Sequence, residues 1–445
     1  MYRKIYLINP PSPFLIDDLC QLPTGLLYLR EYTRSLGYNV RLINLAGKSE
    51  EEWEIPLDGD LYGISASTPQ FDTAVEIGAK IKRRSDAPLV LGGIHGTALP
   101  ESSLHNQPFD IVVIGEGEIT FSEILQGMPL EEIKGIAFKQ GSRILVNLGR
   151  PPEHNLDRFP FPRFDGFNLA DYHYGVYSGP AGRGVSGIDL MTSRGCPFDC
   201  HFCASPTMWN RRVRFHSADY VIEHLEYLHS LGYNDFFIMD DLFSLNKPRL
   251  EKICVWLREH KSGFRCQLRS SSADEKLLKL LADSGCRQID YGVETASQRV
   301  LDKINKKEKT ENHYRAIELT RKFGIIAKAY LLVGLPGEDE YTIRDTVRFI
   351  QNSGVDYCSV NYFVPLPGCA IFHRPDDFGI EIDRSVPFGQ YYVAGKEDIV
   401  SPVYKNPERT IALGKIVLDA LAERRTHIEL KFRQKSGRKI PLIQE

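Results

Sequence analysis

Met191-Thr-Ser-Arg-Gly-Cys-Pro-Phe-Asp-Cys-His-Phe-Cys-Ala-Ser-Pro206 is the stretch that decides the fold, because it places Cys196, Cys200 and Cys203 at C-x3-C-x2-C spacing. The next cysteine is Cys254, so no fourth thiol lies nearby in the sequence. Thiolates at such spacing can fold around one inorganic centre, and a [4Fe–4S] cube takes four ligands. Three thiolates leave one iron open, where a small molecule can bind and receive an electron.

The main alternative for these cysteines is a structural zinc site. Such sites use four protein ligands, commonly as paired C-x2-C units or as Cys2His2. His201 lies inside the loop, but no second cysteine pair follows it closely, so the ligand count favours a cluster. A disulfide is not expected, because the nine cysteines are an odd, scattered set and the strand pattern at the start of the sequence predicts no secretory leader. That pattern is typical of a reduced, cytoplasmic protein.

Length and composition set the remaining bounds. The chain has 445 residues, enough for two or three domains, with 42% hydrophobic and 25% charged residues and a net charge of −3. This balance argues against a dedicated nucleic-acid surface. The longest apolar run, 325–333, is interrupted by Lys328 and is too short to span a membrane. We therefore expect a soluble, cytoplasmic protein.

The first part of the chain alternates apolar runs with helical patterns. Strands are predicted over 4–9, 39–44, 61–67, 88–91 and 111–114, and helices over 25–36 and 72–84. This alternation predicts a parallel, doubly wound, Rossmann-like sheet over residues 1–134, with ligands bound beyond the carboxyl ends of the strands. The loops at that edge contain Ser65-Ala66-Ser67, Gly92-Gly93 and Gly115-Gly117 with Glu116 between the glycines. Small residues let a large flat ligand approach the backbone, although tight turns alone would also explain them.

A second α/β unit follows a connector. Residues 135–187 are rich in proline, phenylalanine and aspartate, which predicts a segment that wraps rather than builds a sheet. From residue 188 the alternation of strands and helices resumes. Strands are predicted over 188–192, 235–239, 266–269, 288–293, 327–333 and 357–363. Six such units fit a partial (β/α)6 TIM-type barrel over 188–372 whose active face lies at the carboxyl ends of its strands. Residues 373–445 are less patterned, and we expect them to cap one end of the barrel.

The cysteine loop, the strand before it and the repeated units behind it resemble the radical S-adenosylmethionine (SAM) superfamily. The order of motifs is similar to its cobalamin-binding (B12) branch, along almost the whole chain to about residue 372. The resemblance implies that Cys196, Cys200 and Cys203 hold a [4Fe–4S] cluster whose open iron binds the methionine part of SAM. It also implies that Phe202 packs near the adenine.

Further segments match the family strand by strand. The run 235–243 resembles the second barrel strand and would bring Asp240 and Asp241 near the SAM amino group. Arg269 ends the third strand, where a polar side chain often reaches the SAM carboxylate. The segment 291–295 carries Glu294, which would contact SAM. A late turn, 332–338, would pack Gly334 and Pro336 against adenine. For Asp240 and Arg269, an ion pair at the barrel end is the simpler alternative.

The first domain resembles the cobalamin-binding modules of this branch in its loops. Cobalamin contacts are therefore expected from Ser65, Ala66, Ser67, Gly92, Gly93, Gly115 and Glu116. One departure concerns the D-x-H-x-x-G segment that supplies a lower axial histidine in many such domains, because it is absent here. His95 is a candidate substitute, although a histidine after Gly-Gly more often lines the loop.

The resemblance implies an enzyme that cleaves SAM reductively to a 5′-deoxyadenosyl radical and methylates an unactivated carbon by way of methylcobalamin. Three alternatives stay open: ring closure, oxidation or rearrangement with the same cofactors; radical chemistry without cobalamin; and a metal-binding scaffold or sensor without turnover. The expected partners are a small-molecule or peptide substrate and an electron donor such as flavodoxin or ferredoxin. Cys358 and Cys369 have no assigned role, and inert buried thiols are the default for them.

Overall fold

Two parallel sheets organise the chain. The computed structural model describes residues 2–12, 15, 17–172, 175–179, 185, 187–391, 401 and 403–436, with side chains as far as residue 424. One sheet has seven strands and the other has six, and a small two-stranded ribbon lies next to the second. Among the described residues, no helix combines the length and the apolar character needed to cross a membrane.

The first sheet has the strand order β2-β1-β3-β4-β5-β6-β7. Strands β1 to β5 are parallel, which confirms the predicted Rossmann-like domain. Apolar side chains cover both faces of the sheet, as a doubly wound sheet requires. Its strands are β1 Ile5–Asn9, β2 Val40–Asn44, β3 Leu61–Ser65, β4 Leu89–Gly92, β5 Ile111–Val113, β6 Ile136–Gln140 and β7 Arg143–Val146; its helices are α1 Thr24–Ser35, α2 Phe71–Lys82, α3 Ile94–Ala98 and α4 Gly117–Leu125.

Part of the predicted connector builds this sheet instead of wrapping it. Strands β6 and β7 form an antiparallel hairpin that extends the edge beyond β5. Gly141 in the turn has φ +62°, a conformation that glycine adopts at low cost. The prediction for residues 136–146 is therefore wrong, because the proline-rich and phenylalanine-rich composition of the later residues obscured a short hairpin signal.

The second sheet is parallel and has the order β15-β14-β13-β12-β11-β8, so β8 and β15 are its edges. This confirms the six-stranded partial barrel. Its strands are β8 Ile188–Leu190, β11 Asp235–Ile238, β12 Gly263–Leu268, β13 Cys286–Glu294, β14 Ile326–Val333 and β15 Tyr357–Tyr362, and the adjacent ribbon is β9 Ser193–Arg194 with β10 Arg214–Phe215. Its helices are α5 Ser205–Trp209, α6 Ala218–Ser230, α7 Lys247–Glu259, α8 Glu275–Asp283, α9 Gln298–Lys303, α10 Thr310–Lys322 and α11 Glu340–Asn352.

Side-chain caps fix where the barrel helices begin. Ser217 accepts a hydrogen bond from the Tyr220 amide at the start of α6, and Asp274 accepts one from the Leu277 amide at the start of α8. Asp339 caps α11 in the same way. Each cap satisfies an amide that has no partner within its helix, which stabilises the helix by about 1 kcal/mol.

The C-terminal region does more than cap the barrel. It contains α12 Ala370–His373, α13 Pro375–Phe378 and the long α14 Glu408–Ser436. Leu413, Val417 and Leu421 of α14 belong to the main barrel core, where α14 packs beside α11 and β15. The expected end cap is therefore wrong for α14, which continues the outer helical layer. Residues 392–400 and 437–445 lie outside the described part of the chain.

Candidate active site

The three cysteines lie in the loop that leaves the ribbon strand β9, beyond the carboxyl end of β8. Cys200 is buried, and Cys196 and Cys203 are partly exposed. Gly195 enters the loop with φ +99°, and a Cβ there would lie 2.0 Å from the Arg212 carbonyl oxygen. Only glycine fits this position without moving the backbone. Burial raises the pKa of Cys196 and raises that of Cys203 to about 12. Binding of a metal centre must therefore displace protons from these thiols.

Asp240 anchors the residues that lead into the loop. Its Oδ1 accepts from the backbone amides of Thr192 (2.6 Å) and Ser193 (3.0 Å), and its Oδ2 accepts from both hydroxyls, with 2.6 Å to Ser193. The carboxylate is 1% exposed and both of its oxygens are engaged within the protein. Its neighbour Asp241 is accessible to solvent. Protein atoms around the Asp241 carboxyl still desolvate it in part, and this desolvation and the nearby Asp240 charge raise its pKa. Of the predicted pair, Asp241 is therefore the carboxylate left to face a ligand.

The loop is also held by the segment that follows α9. The Asn305 side chain donates to the Asp199 carbonyl at 2.7 Å, and the His201 amide donates to the Ile304 carbonyl at 2.9 Å. The His201 ring Nδ1 lies 3.2 Å from the Lys303 carbonyl. The His201 ring and amide are therefore both held by the end of α9 and the residue after it.

Arg269 and Glu294, both predicted to contact SAM, are joined through residues 306–308. Arg269 donates from Nε to Glu308 at 3.0 Å and from its terminal nitrogen to the Lys306 carbonyl, and its guanidinium stacks 3.6 Å above the Phe198 ring. Lys306 donates from Nζ to Glu294 at 2.7 Å, and both side chains are almost fully buried.

Glu294 has φ +63°, an uncommon conformation for a residue with a Cβ. Backbone strain of this kind concentrates at functional sites. The predicted Phe202 joins the same group, since the Lys306 ammonium lies 5.4 Å from its ring centroid. Sequence reasoning missed Lys306 and Glu308, because a charged stretch after a helix reads as a solvated turn.

The predicted turn at Gly334 and Pro336 follows β14 at the same end of the barrel. Gly334 has φ +92°, and its amide donates to the Glu338 carboxyl at 2.6 Å. The Leu335 amide donates to the same oxygen at 3.2 Å, and burial raises the pKa of Glu338 to about 8. The turn is therefore closed from within by a buried carboxyl group.

Two cavities open at the carboxyl edge of the first sheet. The first, about 150 Å³, runs between the sheet and helices α1 and α4 and is lined by Gly92, Gly93, Gly115 and Glu116 among others. The second, about 540 Å³, lies over the edge and is lined by Ala66 and Ser67. Ser65, Gly93 and Gly25 line both. The structure thus brings the predicted loop residues together around adjoining cavities.

At Gly93, the loop after β4 lies against the backbone of the loop after β3. This glycine has φ +92°, and a Cβ there would lie 2.6 Å from the Ala66 carbonyl oxygen and 2.9 Å from the Ala66 amide. The first cavity needs this glycine so that two loops can approach each other at its mouth.

His95 does not face either cavity, so its expected role as a substitute axial ligand is wrong. Its ring is fully buried and stacks on Phe71 with centroids 3.9 Å apart, and Phe388 packs edge-on at 4.6 Å. Nδ1 lies 3.3 Å from the Thr68 hydroxyl, and burial lowers the pKa of the ring to about 3. His95 is a neutral core residue, since the short helix after Gly93 turns its side chain toward α2.

A buried ion network joins the two domains beside the cysteine loop. Arg194, two residues before Cys196, pairs with Glu116 at 2.8 Å and with Glu118 at 2.7 Å. Arg214 pairs with the other oxygen of Glu116 at 2.6 Å. Arg194 also lines the first cavity together with Glu116. The wall of the cavity and the cysteine loop are therefore held by the same charges.

Fold and site together define a class: an α/β protein in which a Rossmann-like domain with an edge cavity faces the three-cysteine loop of an open parallel barrel. Residues 190–350 match the radical SAM superfamily, and residues 19–125 match the B12 binding domain. An uncharacterized methyltransferase of Pyrococcus horikoshii is 30% identical over 387 residues, covering 83% of this chain and 82% of the relative.

Two further proteins show the range of the family. The anaerobic magnesium-protoporphyrin IX monomethyl ester cyclase of Rubrivivax gelatinosus is 26% identical, over 80% of this chain and 66% of that enzyme. The structure of the radical SAM methyltransferase TsrM from Kitasatospora setae, with cobalamin and a [4Fe–4S] cluster bound, has the same fold, with a TM-score of 0.70 and 20% identity over 86% of this chain and 75% of that one. The chain belongs to the cobalamin-binding branch of the radical SAM superfamily and is an enzyme that uses a [4Fe–4S] cluster, SAM and cobalamin.

Proposed function

We propose that this enzyme transfers a methyl group to an unactivated carbon of a small-molecule or peptide substrate. The observation that carries the proposal is the shared wall between its two sites. Arg194 lines the first cavity and precedes Cys196 by two residues, while Leu366, just after β15, lines the second cavity. A carbon held between the barrel mouth and the Rossmann-like edge would be reached from both sides.

We assign the cluster to Cys196, Cys200 and Cys203, and SAM to the group around Asp241, Glu294 and Phe202. When bound, the cluster supplies an electron that cleaves SAM to a deoxyadenosyl radical, and cobalamin carries the methyl group. Asp240 fixes the entry to the cysteine loop through its four hydrogen bonds.

Lys306, which is paired with the predicted Glu294, is a charged residue of this site that the sequence did not indicate. The ammonium of Lys306 can attract the SAM carboxylate, while a free oxygen of Glu294 can accept from a donor on SAM. Arg269 is occupied by Glu308 and the Lys306 carbonyl, so we assign it to positioning of this segment rather than to direct contact with SAM.

Cobalamin is assigned to the two cavities of the first domain, with Ser65 and Gly93 at their junction. The backbone approach at Gly93 and the apolar depth of the first cavity suit a large group with a flat ring and a tail. No histidine of the described residues lines either cavity, so we propose that the protein supplies no imidazole as the lower ligand.

A second outcome with the same cofactors is ring closure or oxidation without methyl transfer. The 26% identity to a cyclase supports this second outcome. Both outcomes need a reductant, and we propose a flavodoxin or ferredoxin in the cytoplasm.

The test is anaerobic reconstitution with iron, sulfide and hydroxocobalamin, followed by incubation with SAM labelled with deuterium in its methyl group and a small-molecule extract. Methyl transfer predicts 5′-deoxyadenosine, S-adenosylhomocysteine and a labelled product. Formation of 5′-deoxyadenosine with an unlabelled new product and no S-adenosylhomocysteine would favour ring closure or oxidation. Failure to bind any corrinoid would refute both.

The matched control compares two cysteines. Cys200→Ala should abolish SAM cleavage, because it removes a proposed cluster ligand. Cys254→Ala should keep it, since Cys254 is a buried thiol of α7 in the main core. SAM cleavage by the Cys200 variant would overturn the cluster assignment.

A further inference from the structure

The inner wall of the barrel carries polar side chains along β14. The outward residues of this strand, such as Ala327 and Ala329, are fully buried against the helical layer. The alternate residues Lys328 and Tyr330 are partly exposed. Because successive side chains of a strand point to opposite faces, Lys328 and Tyr330 point into the lumen, and solvent reaches them there.

Most lumen charges already have partners. Asp290 of β13 accepts from the Gln288 side chain at 2.6 Å and from the Tyr330 hydroxyl at 3.0 Å, and it pairs with Arg265 of β12 at 3.3 Å. Arg265 also donates to the Val176 carbonyl at 2.9 Å. The charges of Arg265 and Asp290 therefore balance each other, and Arg265 also holds the backbone at Val176.

Lys328 is the exception. Among the described residues it has no ion pair, although it stands beside Asp290 in the strand register. Its Nζ lies 4.9 Å from the ring centroid of Tyr330, which is its contact with a polarisable group. Desolvation lowers its pKa, and Asp290 opposes that effect while Arg265 adds to it. The nearby Asp290 carboxylate is already paired with Arg265, so a partly dehydrated cation here can take a further anion as its partner.

The acid on the far side of the lumen does not neutralise it. Asp189 of β8 points inward, because Ile188 and Leu190 on either side of it belong to the outer core. Its charged neighbour is Arg265, and one of its oxygens accepts from the Leu22 amide at 3.4 Å. Among the described residues, neither Asp189 nor Asp290 forms an ion pair with Lys328.

Lys328 lies farther from the carboxyl end of the barrel than Glu294 does. Leu331 pairs with Glu294, and Lys328 precedes it by three residues. At about 3.3 Å per residue, the Cα of Lys328 lies roughly 10 Å before that of Leu331 along β14. On the neighbouring strand β15, Ser359 pairs with Tyr330 and Asn361 pairs with Leu332, so both point inward as well. Both are accessible to solvent.

We propose that the barrel lumen binds an anionic group of the substrate, a carboxylate or a phosphoryl group, with Lys328 as its counter-charge. This inference rests on the proposed function, since it takes the lumen as the place of the substrate. It adds the substrate class: a molecule that carries an anionic oxygen group.

Competitive lysine acetylation tests the anion site without turnover. Cluster-loaded protein is treated with an acetylating reagent at equal ionic strength in chloride, acetate or phosphate, and the peptides are quantified by mass spectrometry. Acetate or phosphate should slow acetylation of Lys328 by about threefold or more relative to chloride, through charge pairing. Lys279, an exposed residue paired with Asp283, should be unaffected. Protection by acetate alone would indicate a carboxylate, and protection by phosphate alone a phosphoryl group.

A variant gives an independent readout. The protecting anion should raise the Tm of the wild type by about 1–2 °C over chloride and should fail to do so in Lys328→Met, whereas Lys279→Met should respond as the wild type does. Equal acetylation of Lys328 in all three salts would overturn the inference. Because neither measurement needs SAM, an enzyme that protects Lys328 but does not cleave SAM would refute the proposed function alone.

Discussion

Replacement of Asp240 by alanine should prevent loading of the cluster while leaving the fold intact. The carboxylate accepts two amide and two hydroxyl hydrogen bonds from Thr192 and Ser193, the residues that lead into the cysteine loop. Alanine removes all four acceptors at once. The hydroxyls can turn toward other acceptors, but the two amides are fixed in direction by the backbone.

The magnitude follows from those two amides. A buried donor left without a partner costs about 1–3 kcal/mol, so two of them cost about 2–6 kcal/mol. Since 1.4 kcal/mol is a factor of ten, the ordered loop should become at least about tenfold less populated. Asp240→Asn keeps one oxygen for the amides and turns its NH2 to the hydroxyls, which can accept. Loss of the charge roughly halves the strength of these bonds, so we expect a cost of about 1–2 kcal/mol.

The assay is anaerobic reconstitution at limiting iron, with iron and sulfide counted per chain and circular dichroism as the measure of folding. Asp240→Ala should load at least about tenfold less cluster than wild type, with Asp240→Asn in between. Asp241→Asn is the matched control, because its carboxylate reaches solvent and should affect SAM binding but not cluster loading.

One result would refute this reasoning. If Asp240→Ala loads a full cluster but binds SAM weakly, Asp240 contacts SAM as the family resemblance implies, and the four hydrogen bonds do not control the loop.

Three further predictions concern the first domain. Glu116→Gln should lower the free energy of unfolding by about 3 kcal/mol, because it leaves Arg194 and a second buried arginine short of negative charge; denaturant titration measures the loss. Gly93→Val should abolish binding of hydroxocobalamin, followed by absorbance, whereas Gly92→Ala should bind it, since a Cβ there meets nothing closer than 4.0 Å. Burial lowers the pKa of His95 to about 3, so the unfolded chain binds the extra proton between that value and 6.5, and stability falls as the pH falls through this window. His95→Phe should flatten that loss by up to about 1.4 kcal/mol per pH unit in denaturant titrations and should still bind cobalamin; a variant that binds none would restore His95 as a ligand.

Local sequence patterns were sufficient to predict most of the strands. Strand and helix periodicity predicted β1 to β5 and the six barrel strands, because each buries a continuous apolar side. The hairpin at 136–146 was missed, since two short strands with one glycine turn give little periodicity. The loop residues Ser65 and Gly93 were predicted as a group, because parallel strands bring their carboxyl ends to one edge.

The sequence by itself determined the class of the protein, because three cysteines at fixed spacing after a strand specify both a local loop and its chemistry. Tertiary structure alone decided the roles of the charged residues. Asp240 is occupied by hydrogen bonds from Thr192 and Ser193, and His95 is turned into the core. Lys306 is buried against Glu294, and Lys328 is partly exposed on the inner face of β14. The physical reason is that the function of a charge depends on its desolvation and its partners, and both are set by segments far away in the chain.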